Sequence, residues 1–438
     1  MRIYIHDEFP PETSAMLQAL YSRSDKSVEQ HVQKVQERGA DKFMASYYVG
    51  YGHASIGDCG VTTLFVEDIS ILACKAIQDN ALYSGQETST RYIDFAGRRV
   101  HDPLGTPESA EIMGKWTEFY IAHKGPLIEW LKARAPVDAG VDTKVWEKAC
   151  ASQAFDILRG FLPAGVTSQL AWTTNLRQAH EQLLRLLAHP LHEVRDIAQR
   201  CVSLLKGKYP NSFGHTVSLE ESQYYRGAYA REAYAEPTSQ TPAPGLFLVE
   251  SSVDNASLER EAFDIISSRP RKAMLPKSLT RLGTYRCRFL LDFGSFRDLQ
   301  RHRGGFCRMP LISGTLGFHD WYLDELPDTL RASANALLAN QFRQIDALKN
   351  CLSDAERQYF YPLGTRVACE LIYDLPQMVY VAELRSGRTV HPTLRWVAQQ
   401  IGRYLQHRHP TLALYVDFSP SFFEVKRGTQ DIVEKTAA

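Results

Sequence analysis

Two stretches of the chain, about two hundred residues apart, match in a single register. The first reads HEVRDIAQRCVSLLKGKYP over residues 192–210, and the second reads PTLRWVAQQIGRYLQHRHP over residues 392–410. Arginine, alanine, glutamine and proline recur at one offset, and chance rarely preserves several matches over a helix-length window. FLPAGVT (161–167) and FYPLGTR (360–366) match within one residue of that offset. We therefore predict two diverged copies of one unit.

The segment AYAEPTSQTPAPG marks the predicted boundary between the copies. Its prolines and small polar residues cannot build a core and are typical of a linker. We expect a first domain over residues 1–232, a linker over 233–245 and a second domain over 246–438.

Each copy combines strand-like and helix-like patterns. VTTLFVEDISILA (61–73) and TYRCRFLLDFGSF (284–296) are rich in β-branched and aromatic residues, which favours strands that lead into helices. Much of the remainder has apolar residues at three- and four-residue intervals, as amphipathic helices do. We predict an α+β fold of two tandem copies, each with a small antiparallel or mixed sheet packed with helices.

Composition excludes several classes of partner and cofactor site. Fifty basic residues balance fifty acidic ones, so no overall field attracts nucleic acid or a membrane, and an anion must be held locally. No GxGxxG follows a strand and no GxxxxGK occurs, which argues against Rossmann and P-loop sites. The eight cysteines lack zinc-type spacing, so we expect no metal. With no signal-peptide core and no long apolar run, we expect a cytoplasmic protein.

The second copy contains a concentrated positive cluster in LQRHRGGFCRMPL, residues 299–311. Arg301, His302 and Arg303 follow an apolar, aromatic run and precede two glycines. Such a triplet in isolation is more often the solvated C-terminal end of a helix. Because this one leaves a segment predicted to be buried, the alternative is recognition of a phosphate or carboxylate by the two guanidinium groups.

Three further motifs occur in the first copy: GHAS at 52–55, STRY at 89–92 and NLR at 175–177. With the triplet, they resemble the GHxS, SxRY, NxR and RHR motifs of the flavin-dependent thymidylate synthases. The first copy has IQDNALY (77–83) where the triplet is expected. The second copy has Leu311 where the SxRY serine is expected, and it lacks GHxS and NxR. Each copy therefore keeps what the other has lost, and the resemblance covers most of the chain.

The resemblance implies FAD-dependent methylation at C5 of a uridylate, dUMP above all, with methylenetetrahydrofolate as carbon donor and NADPH as reductant. It also implies a tetramer, and for this doubled chain we expect a homodimer that forms a pseudo-tetramer with composite sites. The departures leave another pyrimidine nucleotide, or a related C5 alkylation, open. The alternative is a catalytically decayed homologue that binds nucleotide or flavin in a regulatory or structural role.

The resemblance also assigns roles to individual residues. The predicted catalytic residues are Ser89, Arg301, His302 and Arg303. The predicted substrate-binding residues are Glu87, Arg91, Arg185 and Arg301. The predicted cofactor-binding residues are His53, Ser55, Asn175, Arg177, His302 and Arg303. In chemical terms, Arg91 and Arg301 can neutralise a phosphate, and Ser89 can donate to a uracil carbonyl. Cations such as His302 and Arg303 would stabilise a flavin that gains negative charge near N1 on reduction.

Overall fold

The computed structural model describes residues 8–22, 24, 26–38, 54–213, 218–235, 241–420 and 423–429. The chain divides into two compact units. Unit 1 comprises Met1–Ile69, Ala73–Glu87 and Ser168–Ala233, and unit 2 comprises Ser70–Leu72, Thr88–Thr167 and Tyr234–Ala438. The predicted α+β fold, with a small sheet and surrounding helices for each copy, is confirmed.

The two units do not coincide with the two sequence copies. Residues 88–167 of the first copy belong to unit 2 together with residues from 234 onward. The predicted domain boundaries divide the two sequence copies rather than these compact units, and they stay a prediction. Residues 236–240 of the predicted linker lie outside the described residues.

Unit 1 is built around a three-stranded sheet in the order β1-β3-β2, in which β2 runs antiparallel to β3. The strands are β1 (Val61–Ser70), β2 (Ser84–Glu87) and β3 (Thr167–Asn175). Numbered along the whole chain, its helices are α1 (Pro11–Tyr21), α2 (Val28–Arg38), α3 (Ile71–Gln78), α6 (Leu176–Leu187), α7 (His192–Lys208) and α8 (Leu219–Glu232). Apolar side chains of α1 and α2 pack with Ile56, which lies in the short 3-10 helix Ala54–Cys59.

Unit 2 is built around a four-stranded antiparallel sheet in the order β4-β5-β7-β6. The strands are β4 (Phe247–Ser251), β5 (Thr284–Asp292), β6 (Phe306–Arg308) and β7 (Arg366–Asp374). The helices are α4 (Pro107–Arg134), α5 (Thr143–Leu158), α9 (Asn255–Ser267), α10 (Phe293–Leu299), α11 (Asp320–Asp324), α12 (Asp328–Ala347), α13 (Asp354–Arg357), α14 (Leu375–Arg385) and α15 (Pro392–Arg408). Phe161, Phe318 and Tyr322 contribute to its aromatic core, with ring centroids of neighbours 5.0 and 5.5 Å apart.

The strands form where the sequence alternates. In β7 every second residue is buried and the others are partly exposed, which is the burial pattern of a pleated strand with one face on a core. The strand ends at Asp374, whose side chain accepts a hydrogen bond from the backbone N–H of Gln377 at 2.8 Å and so caps α14. The equivalent cap of α6 is Asn175, which accepts from Gln178 at the same distance.

Two arginines that match in sequence each donate to a backbone carbonyl close to the end of the preceding helix, although the acceptors are not at matching positions. Arg195 donates to the carbonyl oxygen of His189 ahead of α7, and Arg395 donates to that of Ser386 ahead of α15. Each pair ties the second helix of a copy to the end of the preceding helix. The repeat predicted from sequence is therefore a repeat of structure.

Residues 160–165 and 359–364, both in unit 2, pair with each other across a local twofold relation. Pro163 and Pro362 form an antiparallel bridge at its centre. Flanking backbone bonds are reciprocal: Ala164 N–H donates to Tyr361 and Leu363 N–H donates to Leu162, both at 2.8 Å. This pairing explains why residues 88–167 of the first copy fold into the same unit as the second copy.

Candidate functional site

The predicted triplet lies at the C-terminal end of α10 in unit 2. Asp292 ends β5 and caps α10 by accepting from the N–H of Ser295 at 2.8 Å. After the triplet, a Cβ atom on Gly304 would lie 2.2 Å from the Gln377 side chain, and one on Gly305 would lie 2.4 Å from a backbone oxygen. The two glycines therefore let the chain turn closely against β7 and α14 before it enters β6.

Asp298 lies one turn before the triplet and is the centre of a group of cations. Its carboxylate is 3.8 Å from Nε of Arg301, and 18% of the side chain is exposed. Burial alone would raise the pKa of Asp298. The charges of Arg301, Arg159, Arg385 and Arg91 outweigh burial and hold that pKa well below its usual range. We call Arg91, Arg301 and Arg385, together with the carboxylate of Asp298 that they surround, the cation cluster.

Arg385, the last residue of α14, connects the triplet to this cluster. Its Nε donates to Nε2 of His302 at 2.7 Å, and its Nη2 donates to the backbone oxygen of Asp298 at 2.9 Å. Burial lowers the pKa of His302 to about 3, and the neighbouring charge of Arg385 acts in the same direction. At neutral pH the imidazole is therefore uncharged, and it carries its proton on Nδ1 because Nε2 accepts. The predicted role of His302 beside a flavin stays a prediction, and in this neutral state its imidazole offers an N–H donor at Nδ1 rather than a positive charge.

Arg91, from the STRY motif of the first copy, is joined to a buried carboxylate. Its Nε and Nη2 donate to the two oxygens of Asp156 at 2.8 and 2.9 Å, and Nη2 also donates to the carbonyl oxygen of Thr389. Arg427 donates to the same carboxylate at 2.6 Å. In the described part of the chain, Nη1 is the nitrogen of Arg91 left without such a bond. Arg91 is thus a fixed positive charge with the two N–H donors of Nη1 available to a ligand.

The remaining first-copy residues near this motif have local partners. Ser89 is half-buried, and its hydroxyl oxygen accepts from the N–H of Arg91 at 3.2 Å. Its hydroxyl proton is not needed for that bond, so the side chain can still donate. Glu87 belongs to unit 1, where its carboxylate accepts from Nε2 of Gln78 at 2.6 Å.

The predicted cofactor residues of the first copy lie in unit 1. Arg177 donates to Asp58 and to Glu181, both at 2.8 Å, while Asn175 caps α6 and Ser55 is exposed. Arg185, predicted to bind substrate, lies over the Tyr229 ring at 5.1 Å, and its guanidinium is 3.9 Å from Glu232. His53 lies outside the described residues. Of all the predicted site residues, Ser89, Arg91 and the triplet are the ones that share unit 2.

Sequence reasoning missed the two carboxylates that organise the site. Asp298 had a usable signal, since Arg301 and His302 follow it at helical spacing and could interact with it. Asp156 had none, because its partners Arg91 and Arg427 lie far away along the chain.

The part of the chain that the structure describes lacks both a metal-binding group and a membrane-spanning helix. It contains no group of three or more His, Cys, Asp or Glu residues that could hold a metal ion. None of its helices has the length and apolar character needed to cross a membrane.

Replacing Arg385 with glutamine should raise the pKa of His302 from about 3 toward the ordinary value of 6.5. The increase should be partial, because burial remains the larger cause of the depression. The imidazole resonance can be followed by NMR in ¹⁵N-histidine-labelled protein and assigned with a His302→Gln variant. Arg343→Gln, an exposed site on α12, is the matched control. An unchanged His302 titration in the Arg385 variant would contradict the contact.

Comparison with known proteins agrees with these motifs. A UPF0159 protein of Chlamydia pneumoniae is 23% identical over 420 residues, which cover 84% of this chain and 78% of that protein. A UPF0159 protein of Chlamydia muridarum is 24% identical over 423 residues, with 84% and 79% covered. UPF0159 protein Ta1429 of Thermoplasma acidophilum is 21% identical over 477 residues, with 91% and 94% covered. Residues 6–211 match the family model of the thymidylate synthase complementing proteins, so this segment of the chain is similar to that family.

Proposed function

We propose that this protein catalyses FAD-dependent methylation, or a related alkylation, at C5 of a uridylate-type nucleotide, with dUMP as the favoured substrate. Methylenetetrahydrofolate would provide the one-carbon group, and NADPH would provide the two electrons that reduce this group to a methyl. The match of residues 6–211 to the family model of the thymidylate synthase complementing proteins supports a reaction of this class. The same chemistry was expected from the motifs.

The observation that carries the proposal is the cation cluster itself. Arg91 of the first copy and Arg301 of the second both act on the carboxylate of Asp298, although they are far apart in sequence. Four arginines (Arg91, Arg159, Arg301 and Arg385) lie close enough to Asp298 to lower its pKa. Positive charge gathered in this way suits an anionic ligand such as a phosphate monoester, which carries roughly two negative charges at neutral pH.

The residues of unit 2 divide the remaining work. Arg301, with 38% of its side chain exposed, is the cation best placed to meet a phosphate. Ser89 can donate its hydroxyl proton to a uracil carbonyl, and His302 holds a proton at Nδ1. The donor set of Arg301, Arg303 and neutral His302 fits the electron-rich edge of a reduced flavin. Bound there, FAD would supply the reducing equivalents, and Arg303 would provide the charge that His302 does not.

A tritium-release assay tests the proposal. Purified protein supplied with FAD, NADPH and methylenetetrahydrofolate should release tritium from [5-³H]dUMP and form a methylated nucleotide visible by mass spectrometry. Arg301→Ala and Ser89→Ala should each lower the rate at least about 100-fold, as the loss of a charge-assisted or transition-state hydrogen bond does. Arg343→Ala, exposed on α12, should retain full activity. No tritium release by the wild type under any of these conditions would reject the proposed reaction.

A decayed, nucleotide-binding homologue is the second candidate, and specific contacts favour it. Two nitrogens of Arg91 donate hydrogen bonds to Asp156, and Arg177 is paired with Asp58 and Glu181. Both arginines are thus less available to ligands than the family motifs would suggest. In this case calorimetry would detect dUMP binding that depends on Arg301, while tritium release would be absent.

We also propose that the chain forms a homodimer through the exposed face of α14. Tyr380 and Leu384 are 40% and 47% exposed on this face, and Tyr380 contacts His302 with ring centroids 5.8 Å apart. They belong to a groove of about 380 Å³ whose walls include Leu275 and Val379. The equivalent residues of α6 are Glu181 and Arg185. A charged helix face has thus become apolar beside the triplet, as an interface requires.

Leu384→Arg, which restores the residue type of α6, should convert the dimer into a monomer. Size-exclusion chromatography with light scattering measures the mass directly. Leu204→Arg, at a site that is 70% exposed on α7, should leave the dimer intact. A monomeric wild type, or a Leu384→Arg variant that remains dimeric, would contradict the proposed interface.

A further inference from the structure

Gln300 separates α10 from the triplet and is a buried amide without a partner. Only 4% of the residue is exposed. Neither Nε2 nor Oε1 has a hydrogen-bond partner among the residues that the structure describes. Leaving both a donor and an acceptor unpaired in a protein interior is costly, and such groups are rare in folded proteins. A ligand that supplies both missing partners would explain this one.

The first copy shows what this position does when a partner is present. Backbone bonds set the correspondence: Ile71 N–H donates to Val166 and Phe293 N–H donates to Thr365, at the start of α3 and α10. The same register places Gln78 of α3 at the position of Gln300. Gln78 is equally buried, with 3% exposed.

Gln78 donates to the carboxylate of Glu87 at the end of β2, at 2.6 Å. Strand pairing gives the second-copy counterpart of Glu87. Ser84 in β2 faces Thr173, and Phe306 in β6 faces Ile372 at the equivalent place on β7. Counting forward, Met309 corresponds to Glu87. The second copy has therefore kept the buried glutamine and replaced its carboxylate partner with a thioether that cannot donate and accepts only weakly.

We infer that Gln300 reads the edge of the pyrimidine base, donating from Nε2 to O4 of uracil and accepting from N3–H at Oε1. This inference rests on the proposed function and makes Gln300 a specificity residue of the same site. A phosphate alone would not suffice, because it only accepts and would leave Oε1 unpaired. An imide edge presents an acceptor and a donor side by side, which is the complement of a carboxamide. Gln300 also directly precedes Arg301, the residue assigned to the phosphate.

Calorimetry with three ligands tests the inference: dUMP, N3-methyl-dUMP and deoxyribose 5-phosphate. The wild type should bind dUMP about 10- to 100-fold more tightly than N3-methyl-dUMP, which lacks the N3–H donor. Gln300→Leu should weaken dUMP binding by a similar factor and bind both nucleotides equally. Its affinity for deoxyribose 5-phosphate should equal that of the wild type. No dUMP binding by the wild type would reject the proposed function itself.

Stability measurements keep the test independent of folding defects. Gln300→Leu removes an unpaired amide, so its urea midpoint should equal or exceed that of the wild type. Gln78→Leu, the matched change in the first copy, removes the hydrogen bond to Glu87 and should lower the urea midpoint. If dUMP binds to the wild type but Gln300→Leu binds it equally well, the inference is overturned while the proposed function stands. A lowered midpoint in Gln300→Leu would identify a structural role and also overturn it.

Discussion

Asp156→Asn should lower the free energy of unfolding by about 3 to 5 kcal/mol, because it leaves the buried guanidinium of Arg427 and the largely buried guanidinium of Arg91 without their counter-charge. The side chain is 1% exposed, and its carboxylate accepts from Arg91 and Arg427. Burial would raise the pKa of Asp156, but the charges of Arg427 and Arg91 dominate and hold it far below its usual range. Asparagine preserves the shape and removes the charge, so the loss measures the electrostatic role.

Urea unfolding at pH 7, followed by circular dichroism, measures this loss. The matched control is Asp94→Asn, which removes the same charge from an exposed pair. Asp94 lies 2.5 Å from Lys124 with 39% of its side chain exposed, and exposed pairs contribute at most about 1 kcal/mol. Equal losses in the two variants would show that the Asp156 network contributes no more than a surface ion pair.

The same variant should also affect the site. Asp156 fixes the guanidinium of Arg91, and Arg91 acts on Asp298. Freeing Arg91 would change the charge balance around Asp298 even in molecules that remain folded. Binding of dUMP to Asp156→Asn below its unfolding midpoint would report this second effect separately from stability.

Much of the fold could be predicted because its signals are local. The segments 61–73 and 284–296 were predicted to be strands that lead into helices, and they form β1 with α3 and β5 with α10. Helical periodicity predicted α7 and α15, which both end just before the matching prolines. The division into units could not be predicted, because it depends on pairing between residues 160–165 and 359–364. Nothing in either segment specifies its distant partner.

The site shows the same division between local and distant information. The triplet is a contiguous motif, and sequence identified it. The charge state of His302 could not be read from sequence, because it depends on its burial and on Arg385, which lies on α14. Asp156 was missed for a similar reason, since its role requires residues from three separated segments. Motifs therefore indicated the candidate residues, and packing determines the charges that those residues carry.

The two copies also differ in what their equivalent positions can bind. In unit 1, the register of α3 and α10 places Asp79 at the position of Arg301. Asp79 accepts a hydrogen bond from Lys75, which is buried, at 3.0 Å. A carboxylate in an ion pair repels a phosphate where Arg301 would attract it. Of these two equivalent positions, the one in unit 2 is therefore the one at which we propose that an anion binds.

Between pH 6.5 and 4.5, His391 alone should make the protein less stable by about 1.4 kcal/mol for each unit of acidification. His391 is fully buried beside Trp321, at 4.5 Å between ring centroids, and burial lowers its pKa from 6.5 to about 3. The nearby charge of Arg159 adds to the effect. Because the folded-state pKa is depressed, the unfolded chain binds a proton below pH 6.5 that the folded chain does not bind. The contribution of His391 to stability is fully present above pH 6.5 and is lost as the pH falls toward 3.

Replacing His391 with glutamine should reduce the slope of the unfolding free energy against pH by the amount that one proton contributes, about 1.4 kcal/mol per pH unit. This reduction is expected whatever the effect of the substitution on absolute stability. The measurement is the urea midpoint at several pH values from 7 to 4.5, above the range in which most carboxylates titrate. Tryptophan fluorescence is a suitable probe, since Trp321 packs on the imidazole. An unchanged m-value would establish that both proteins unfold the same surface. If the stability curves of the variant and the wild type run parallel over this range, the imidazole of His391 is not held neutral by its burial.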